Sequence, residues 1–258
     1  MTYENLSIDE RRNDIVELLN KEGKVRVNEL ADRYKISEVT IRNDLDELEK
    51  QGLLERVHGG AVSTYRTYYN MTFYERAKTN EAEKKRIAQE AAKLICSGDT
   101  IMINSGTTSL YVLSFIRELK NVIIVTNSIA IAQEADRYKN LDIILLGGNI
   151  NTAYQFTYGE DTINQMKKYR VDKLILTCDG VTAAEGISTG FSSEAEVDRQ
   201  MILRSKNIVL ATDYTKVGRV GFANIADISS IDYLITNENA NQSELLEISR
   251  NNVQILTV

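Results

Sequence analysis

The sequence predicts an α/β chain in two parts: a small N-terminal unit of helix, turn, helix and β-wing, then a larger α/β unit on a mainly parallel sheet. Three observations predict it. Two helical stripes meet at a tight turn within Val27–Ala61 and are followed by a His-Gly-Gly tip. From Glu81 onward, short apolar runs alternate with amphipathic helical segments, the pattern of parallel strands covered on both faces by crossover helices. Between the two, Ser63–Thr72 (STYRTYYNMT) is polar, tyrosine-rich and without helical period. The expected division is residues 1–62, a linker over 63–72, and 73–258.

Ser7 is placed to cap a first helix over Ile8–Lys21, with Ile15, Leu18 and Leu19 inward and Gly23 as the stop. Lys24–Val27 reads as a short strand pairing with the wing. Leu30, Ala31 and Tyr34 form the apolar stripe of the next helix. After the turn at Lys35-Ile36, Ser37 is positioned as an N-cap, because its hydroxyl can accept from an unpaired amide of the following turn. The helix it opens runs from Glu38 to Gln51 and ends at Gly52, with Val39, Ile41, Leu45 and Leu48 as its buried face. Its other face carries Glu38, Thr40, Arg42, Asn43 and Asp46. A helix about three turns long with short polar side chains near its start suits a DNA major groove. Arg56, His58, Gly59 and Gly60 follow as a wing whose glycines allow a tight turn beside a backbone and whose Arg56 can reach a phosphate.

In the second part, Asn80 and Glu83 have the spacing of a capping box opening a helix over Glu81–Ile95. Strands are expected at Thr100–Ile103, Val122–Val125, Asp142–Leu146, Lys173–Thr177, Ile208–Ala211, Tyr233–Thr236 and Val253–Leu256. Helices are expected at Thr108–Leu119, Ile129–Tyr138, Glu160–Tyr169, Ser193–Ser205 and Gln242–Ser249.

Composition narrows the class. Apolar residues make up 43% and charged residues 26%, as in an ordinary globular protein. MTYENLSIDERR has no apolar run, and the longest such runs, Ile143-Ile144-Leu145-Leu146 among them, are far too short to span a membrane. Two cysteines and one histidine support neither a disulfide framework nor a metal cluster, and a reducing cytoplasm is the simplest setting. No cofactor or metal is expected. Residues 1–62 hold ten Lys or Arg against fourteen Asp or Glu. Non-specific DNA affinity should therefore be weak and steeply salt-dependent, with Lys24, Arg26, Arg33, Lys35, Arg42 and Arg56 supplying the basic face.

In open α/β sheets, ligands bind beyond the carboxyl ends of the strands. Five such ends carry suitable groups. Asn104-Ser105-Gly106-Thr107-Thr108 opens a helix and offers amides, hydroxyls and the positive end of a helix dipole to a phosphate. Thr126-Asn127-Ser128, Gly147-Gly148 and Cys178-Asp179-Gly180 follow three further strands, and Lys216 is a point charge after a fifth. Phosphate is assigned to Thr107, Thr108 and Lys216, and sugar hydroxyls to Asn104 and Asn127, whose amides both donate and accept.

The N-terminal segment resembles the DNA-binding domain of the DeoR family of bacterial transcription regulators, through Ser37, Thr40-Ile41-Arg42, Asp44-Leu45, Leu48, Gly52, Arg56 and His58-Gly59-Gly60-Ala61. Asn43 stands where that family more often has arginine. From Phe73 to Asn237 the chain looks like the sensor domain of the same family, through Arg76, Lys84, Gly98-Asp99, Gly106-Thr107-Thr108, Thr126-Asn127-Ser128, Gly147-Gly148, Gly159, Gly180, Glu194, Asp213, Lys216 and Gly218. Asn104 replaces the usual aspartate and Asp198 a common lysine. The resemblance implies a sensor similar in fold to ribose-5-phosphate isomerase and a phosphorylated sugar or related metabolite as effector, with Arg76 among its binding residues. It implies a winged helix-turn-helix repressor of a sugar-metabolism operon, bound to a double-stranded operator and released by that effector.

Two other functions fit the sequence less well. A sugar-phosphate isomerase with an appended DNA-binding domain would need a general base and a cation, and Asn104 and Asp198 supply neither. A plain architectural DNA binder leaves about 190 residues of α/β unit unexplained. The expectation is a non-enzymatic regulator, a homodimer or homotetramer because paired half-sites favour even numbers.

Overall fold

The computed structural model describes residues 6–50, 53–63 and 71–258. Contacts divide the chain into two compact units, Met1–Asn80 and Glu81–Val258. The expected linker, 63–72, lies mostly outside the described residues. The division falls later than expected, after Asn80, and leaves a helix at Phe73–Lys78 with the first unit.

In the first unit, α1 (Ile8–Glu22) opens on a Ser7–Glu10 capping box and ends at Gly23 in the left-handed region, its amide donating to the Leu19 carbonyl. Strand β1 (Lys24–Arg26), helix α2 (Val27–Tyr34), helix α3 (Glu38–Lys50) and strands β2 (Leu54–Val57) and β3 (Gly60–Ser63) follow. The sheet order is β1-β3-β2, all antiparallel, so the predicted strand does pair with the wing. Gly60 is required at that crossing: a Cβ there would sit 2.0 Å from the Val25 carbonyl oxygen. Ile15, Leu19, Leu30, Tyr34, Ile41, Leu45, Leu48 and Leu54 form one buried core. The expected helix end at Gln51-Gly52 lies outside the described residues. One helix (α4) spans Phe73–Lys78 behind a Thr72–Glu75 capping box.

One reading of α3 is corrected. Val39, expected in the core, is 63% exposed, while Asp44 is buried at 2%. At 3.6 residues per turn Val39 lies about 200° round the helix from Ile41, on the outer face with Arg42 and Asn43. Asp44 falls inside the stripe formed by Ile41, Leu45 and Leu48.

The second unit is a seven-stranded parallel sheet of order β15-β14-β12-β9-β4-β5-β6. Its strands are β4 (Thr100–Ile103), β5 (Val122–Thr126), β6 (Leu141–Leu145), β9 (Val171–Leu176), β12 (Ser205–Ala211), β14 (Tyr233–Thr236) and β15 (Gln254–Thr257). Alternate residues feed two cores: Ile101, Ile103, Ile175, Val209 and Ile235 face one side, and Met102, Leu174, Leu176, Leu210 and Leu234 the other. The first side is covered by α5 (Glu81–Ala92), α6 (Thr107–Ile116) and α7 (Ile129–Ala135), the second by α8 (Glu160–Met166), α9 (Ser192–Leu203) and α10 (Gln242–Ser249). Burial on both faces is why the strands read as unbroken apolar runs.

Two small sheets add to this frame: a hairpin of β7 (Asn149–Asn151) with β8 (Phe156–Tyr158), and β10 (Gly180–Thr182), β11 (Gly186–Thr189) and β13 (Ala223–Ala226) in antiparallel order. The predicted capping box at Asn80 is corrected: Asn80 has φ 51°, the left-handed region, where a capping residue is extended. The chain leaves β4 for β5 and β6, then returns to β9 on the other flank of β4. That reversal makes the carboxyl ends of β4 and β9 the switch point, the place where open α/β sheets take their ligands.

Candidate functional site

The first unit presents α3 and the wing. Ser37 Oγ accepts from the Thr40 amide at 3.1 Å and lies 2.9 Å from Thr40 Oγ1, so both hydroxyls pin the start of α3. Glu38, Val39, Arg42, Asn43 and Asp46 are exposed along one side. Arg42 Nη2 reaches Glu38 Oε2 at 2.5 Å, one turn away. Arg56, expected to reach outward to a phosphate, instead turns its guanidinium onto α3, to the Asp46 carboxylate and the Arg42 carbonyl. His58 and Gly59 are exposed at the hairpin tip, with Gly59 at φ 76°. Val39 is the residue that sequence reasoning missed. The signal was a core stripe already complete without it, and its exposed methyls suit a thymine methyl.

In the second unit most of the predicted residues hold the strand ends together. Asn104 is a clamp. Its Oδ1 accepts from the Thr177 amide (3.0 Å), Thr177 Oγ1 (3.1 Å) and Ser109 Oγ (3.3 Å). Its Nδ2 donates to the Thr177 carbonyl (3.0 Å) and to the Asp198 carboxylate (3.3 and 3.4 Å). The expectation that Asn104 binds effector hydroxyls is therefore corrected: a buried amide with two donors and one acceptor oxygen has spent that capacity on β9 and α9. Thr126 Oγ1 likewise donates to the Ile103 carbonyl at 2.6 Å and accepts from the Ser128 amide at 3.0 Å, and Ser128 caps α7 through the Ile131 amide. Gly147 receives Thr162 Oγ1 on its carbonyl at 2.7 Å, and Gly148 sits at φ 147° against Thr162 and Tyr158. Gly180 packs against the Arg219 carbonyl.

Asn127 differs. Its Nδ2 donates to the Thr157 carbonyl at 3.0 Å, but its Oδ1 is buried with no hydrogen-bond partner among the described residues. A buried acceptor left so costs about 1–3 kcal/mol, which a ligand donor would recover. Gly106 caps α6 without a side chain, leaving the first-turn amides of α6, at Thr107 and Thr108, uncapped by it at the positive end of the helix.

Glycine at 106 is a steric necessity, since an added Cβ would lie 1.6 Å from Thr177 Oγ1. Gly106→Ala should cost up to about 3 kcal/mol of stability in urea unfolding, as overpacking does, and a loss under about 0.5 kcal/mol would show that β4 and β9 part freely here.

Two buried lysines lie at the carboxyl end of β12. Lys84 on α5 and Lys216, in the turn after β12, are 1% and 4% exposed, and both act on buried Asp213. Burial pushes the Asp213 carboxyl up, but Lys216, then Lys84, with the Thr215 hydroxyl and amide, outweigh it and hold it below its ordinary value. The Lys216 turn is tied to β10 by the Gly218 amide on the Val181 carbonyl at 2.9 Å.

Beside it lies an acidic network: Ser105 Oγ donates to Glu194 Oε1 (3.0 Å), and Thr189 Oγ1 bridges Glu194 and Asp179 (2.5 and 3.1 Å). Asp198 is raised well above the carboxylate range by burial first, then by Glu194, with Asn104 opposing. Arg76, the remaining predicted residue, is buried on α4 and grouped with the first unit. Lys84, Asp213, Glu194 and Asp198 were not predicted as site residues.

Residues 11–67 match the family model described as the DeoR-like helix-turn-helix domain, and residues 79–238 match the DeoR C terminal sensor domain. The chain belongs to the DeoR family. Full-length relatives agree. The chain is similar to the "Uncharacterized HTH-type transcriptional regulator YulB" of Bacillus subtilis, 34% identical over 97% of this chain and 97% of that one. It is 31% identical to the glycerol-3-phosphate regulon repressor of Escherichia coli over 95% and 97% of the two chains. It is 30% identical to the HTH-type transcriptional repressor GlcR of Bacillus subtilis over 96% and 95%. Among solved structures, ribose 5-phosphate isomerase from Plasmodium falciparum aligns with 52% of this chain and 51% of its own at 20% identity and a TM-score of 0.39, a likeness that carries no functional weight. For this DeoR-family chain, no helix among the described residues is long and apolar enough to cross a membrane.

Proposed function

We propose that this DeoR-family chain is a cytoplasmic repressor of a sugar-metabolism operon, released from its double-stranded operator by a phosphorylated sugar or related metabolite. It acts as a homodimer or homotetramer whose paired α3 helices read two half-sites. In this reading Ser37, Glu38, Thr40, Arg42, Asn43, His58 and Gly59 face DNA.

The observation that carries the effector class is the buried cluster of Lys84, Asp213 and Lys216 at the carboxyl ends of parallel strands. With the first-turn amides of α6, such a place suits a dianionic phosphate, and the Asn127 acceptor suits a hydroxyl. Regulation is favoured over isomerisation because Asn104, an amide tied to Thr177, offers no general base.

The test is in two steps. Full-length protein selects a duplex from a randomised library, and that duplex is then challenged with sugar phosphates in a gel shift and a melting assay. One class should raise the melting temperature, worth about 2.7 kcal/mol at a hundred times Kd, and release the duplex. Release requires the effector to prefer the low-affinity state. A compound that stabilises the protein but leaves DNA bound would refute induction by release, and no stabilisation by any phosphate would refute the effector class.

A further inference from the structure

We propose that Asp46 is the residue that positions the wing for DNA, acting through Arg56; this rests on the operator-binding reading above. Strand β2 is the outer strand of the β1-β3-β2 sheet, so among the described residues only β3 pairs with it. Its other flank is fastened to α3 at Arg56. The Arg56 amide donates to Glu49 Oε1 at 2.7 Å, and its Nη1 donates to the Arg42 carbonyl at 3.2 Å and pairs with the Asp46 carboxylate. Arg56 stands two residues before the hairpin tip at His58-Gly59. The angle at which the tip leaves α3 is therefore set where Arg56 meets Asp46.

Glu38, Arg42 and Asp46 recur one turn apart on the same face. A carboxylate on a face turned toward phosphates is unfavourable by charge alone. If Asp46 were a bystander, Asp46→Asn would tighten binding to every duplex. If it positions the wing, the same change weakens binding to the preferred duplex and leaves non-specific binding unchanged or slightly tighter. The two readings predict opposite signs.

The experiment uses full-length protein, the duplex selected from the randomised library and a scrambled duplex of equal length, with affinities read by fluorescence anisotropy. Asp46→Asn should weaken the selected duplex about tenfold, the size of one misplaced base-pair contact, and spare the scrambled one. Arg56→Ala should lower the selected-to-scrambled ratio by a similar factor, and adding Asp46→Asn to it should change nothing further, because the two residues act as one unit. Equal or tighter binding of Asp46→Asn to the selected duplex overturns the proposal. So do losses that add in the double variant, and so does an equal loss on both duplexes, which marks general disruption of the unit. If wild-type protein prefers no duplex, the operator reading falls and this one with it. If wild type discriminates and Asp46→Asn discriminates as well, only this one falls.

Discussion

Asp213→Asn is expected to cost about 3–5 kcal/mol and to lower the melting midpoint of the second unit by about 6–20 °C at neutral pH. Asp213 is the carboxylate that Lys216 and Lys84 both face, and all three are buried. Asparagine keeps the shape and removes the charge, so two ammonium groups remain in a low-dielectric place with one fewer anion. Inorganic phosphate should then raise the midpoint of the variant by more than that of wild type, because the anion supplies what the side chain no longer does. Scanning calorimetry with and without phosphate reads both effects. A variant melting within about 2 °C of wild type would mean that the three groups are not energetically coupled.

The pH dependence has a fixed sign. The folded Asp213 carboxyl lies below its ordinary value of 3.8, so its contribution is fully present above that value and drains away as pH falls through the lower folded one. Wild type should therefore lose more stability on acidification than the variant.

The frame of the second unit was legible because its strands are buried on both faces. Thr100–Ile103 and Tyr233–Thr236 stand where the apolar runs put them, and the other strand ends differ by at most three residues. The small sheets were not legible. Asn149–Asn151, Gly180–Thr182 and Gly186–Thr189 are three or four residues long, rich in Gly, Asn and Thr, and are strands only because the sheet end gives them a partner.

The site was half legible for a related reason. Residue types at strand ends converged on one end of the sheet, where Asn104 and Thr126 fasten strands together. Three charges whose burial was not read from the sequence share a pattern. Lys84 precedes Ile87 and Ala88 on the buried stripe of α5, Asp198 lies between Ala195 and Met201 on α9, and Asp44 lies between Ile41 and Leu48 on α3. A charge inside an apolar stripe is buried by the helix that carries it and must find a partner there. That spacing is visible in the sequence, and in each of these three helices it marks a buried charge.

Asp44 gives the second large expectation. It is 2% exposed, and α1 answers it twice: Arg11 Nε lies 2.7 Å from Oδ2 and Arg12 Nε 3.0 Å from Oδ1. The pairing fixes the recognition helix α3 against α1, so it links fold to DNA reading. Asp44→Asn should cost about 3–5 kcal/mol, because Arg11 is itself buried and keeps its charge. A unit of this size holds only about 3–5 kcal/mol in its core, so the variant's first unit should be largely unfolded while the second still melts as a cooperative transition. Calorimetry should lose one transition and keep the other. Selected-duplex binding should vanish, and stabilisation by a phosphorylated ligand should persist. Arg12 is partly exposed and can turn to water, so Arg11 alone carries the penalty. Replacing the pair, with Arg11→Met and Asp44→Met together, should therefore recover most of the lost stability, as apolar replacement of a buried ion pair does elsewhere. If the single variant still folds and binds the selected duplex like wild type, the Arg11–Asp44 contact does not hold α3; if the double variant is worse than the single one, the cost lies in packing and not in an unpaired charge.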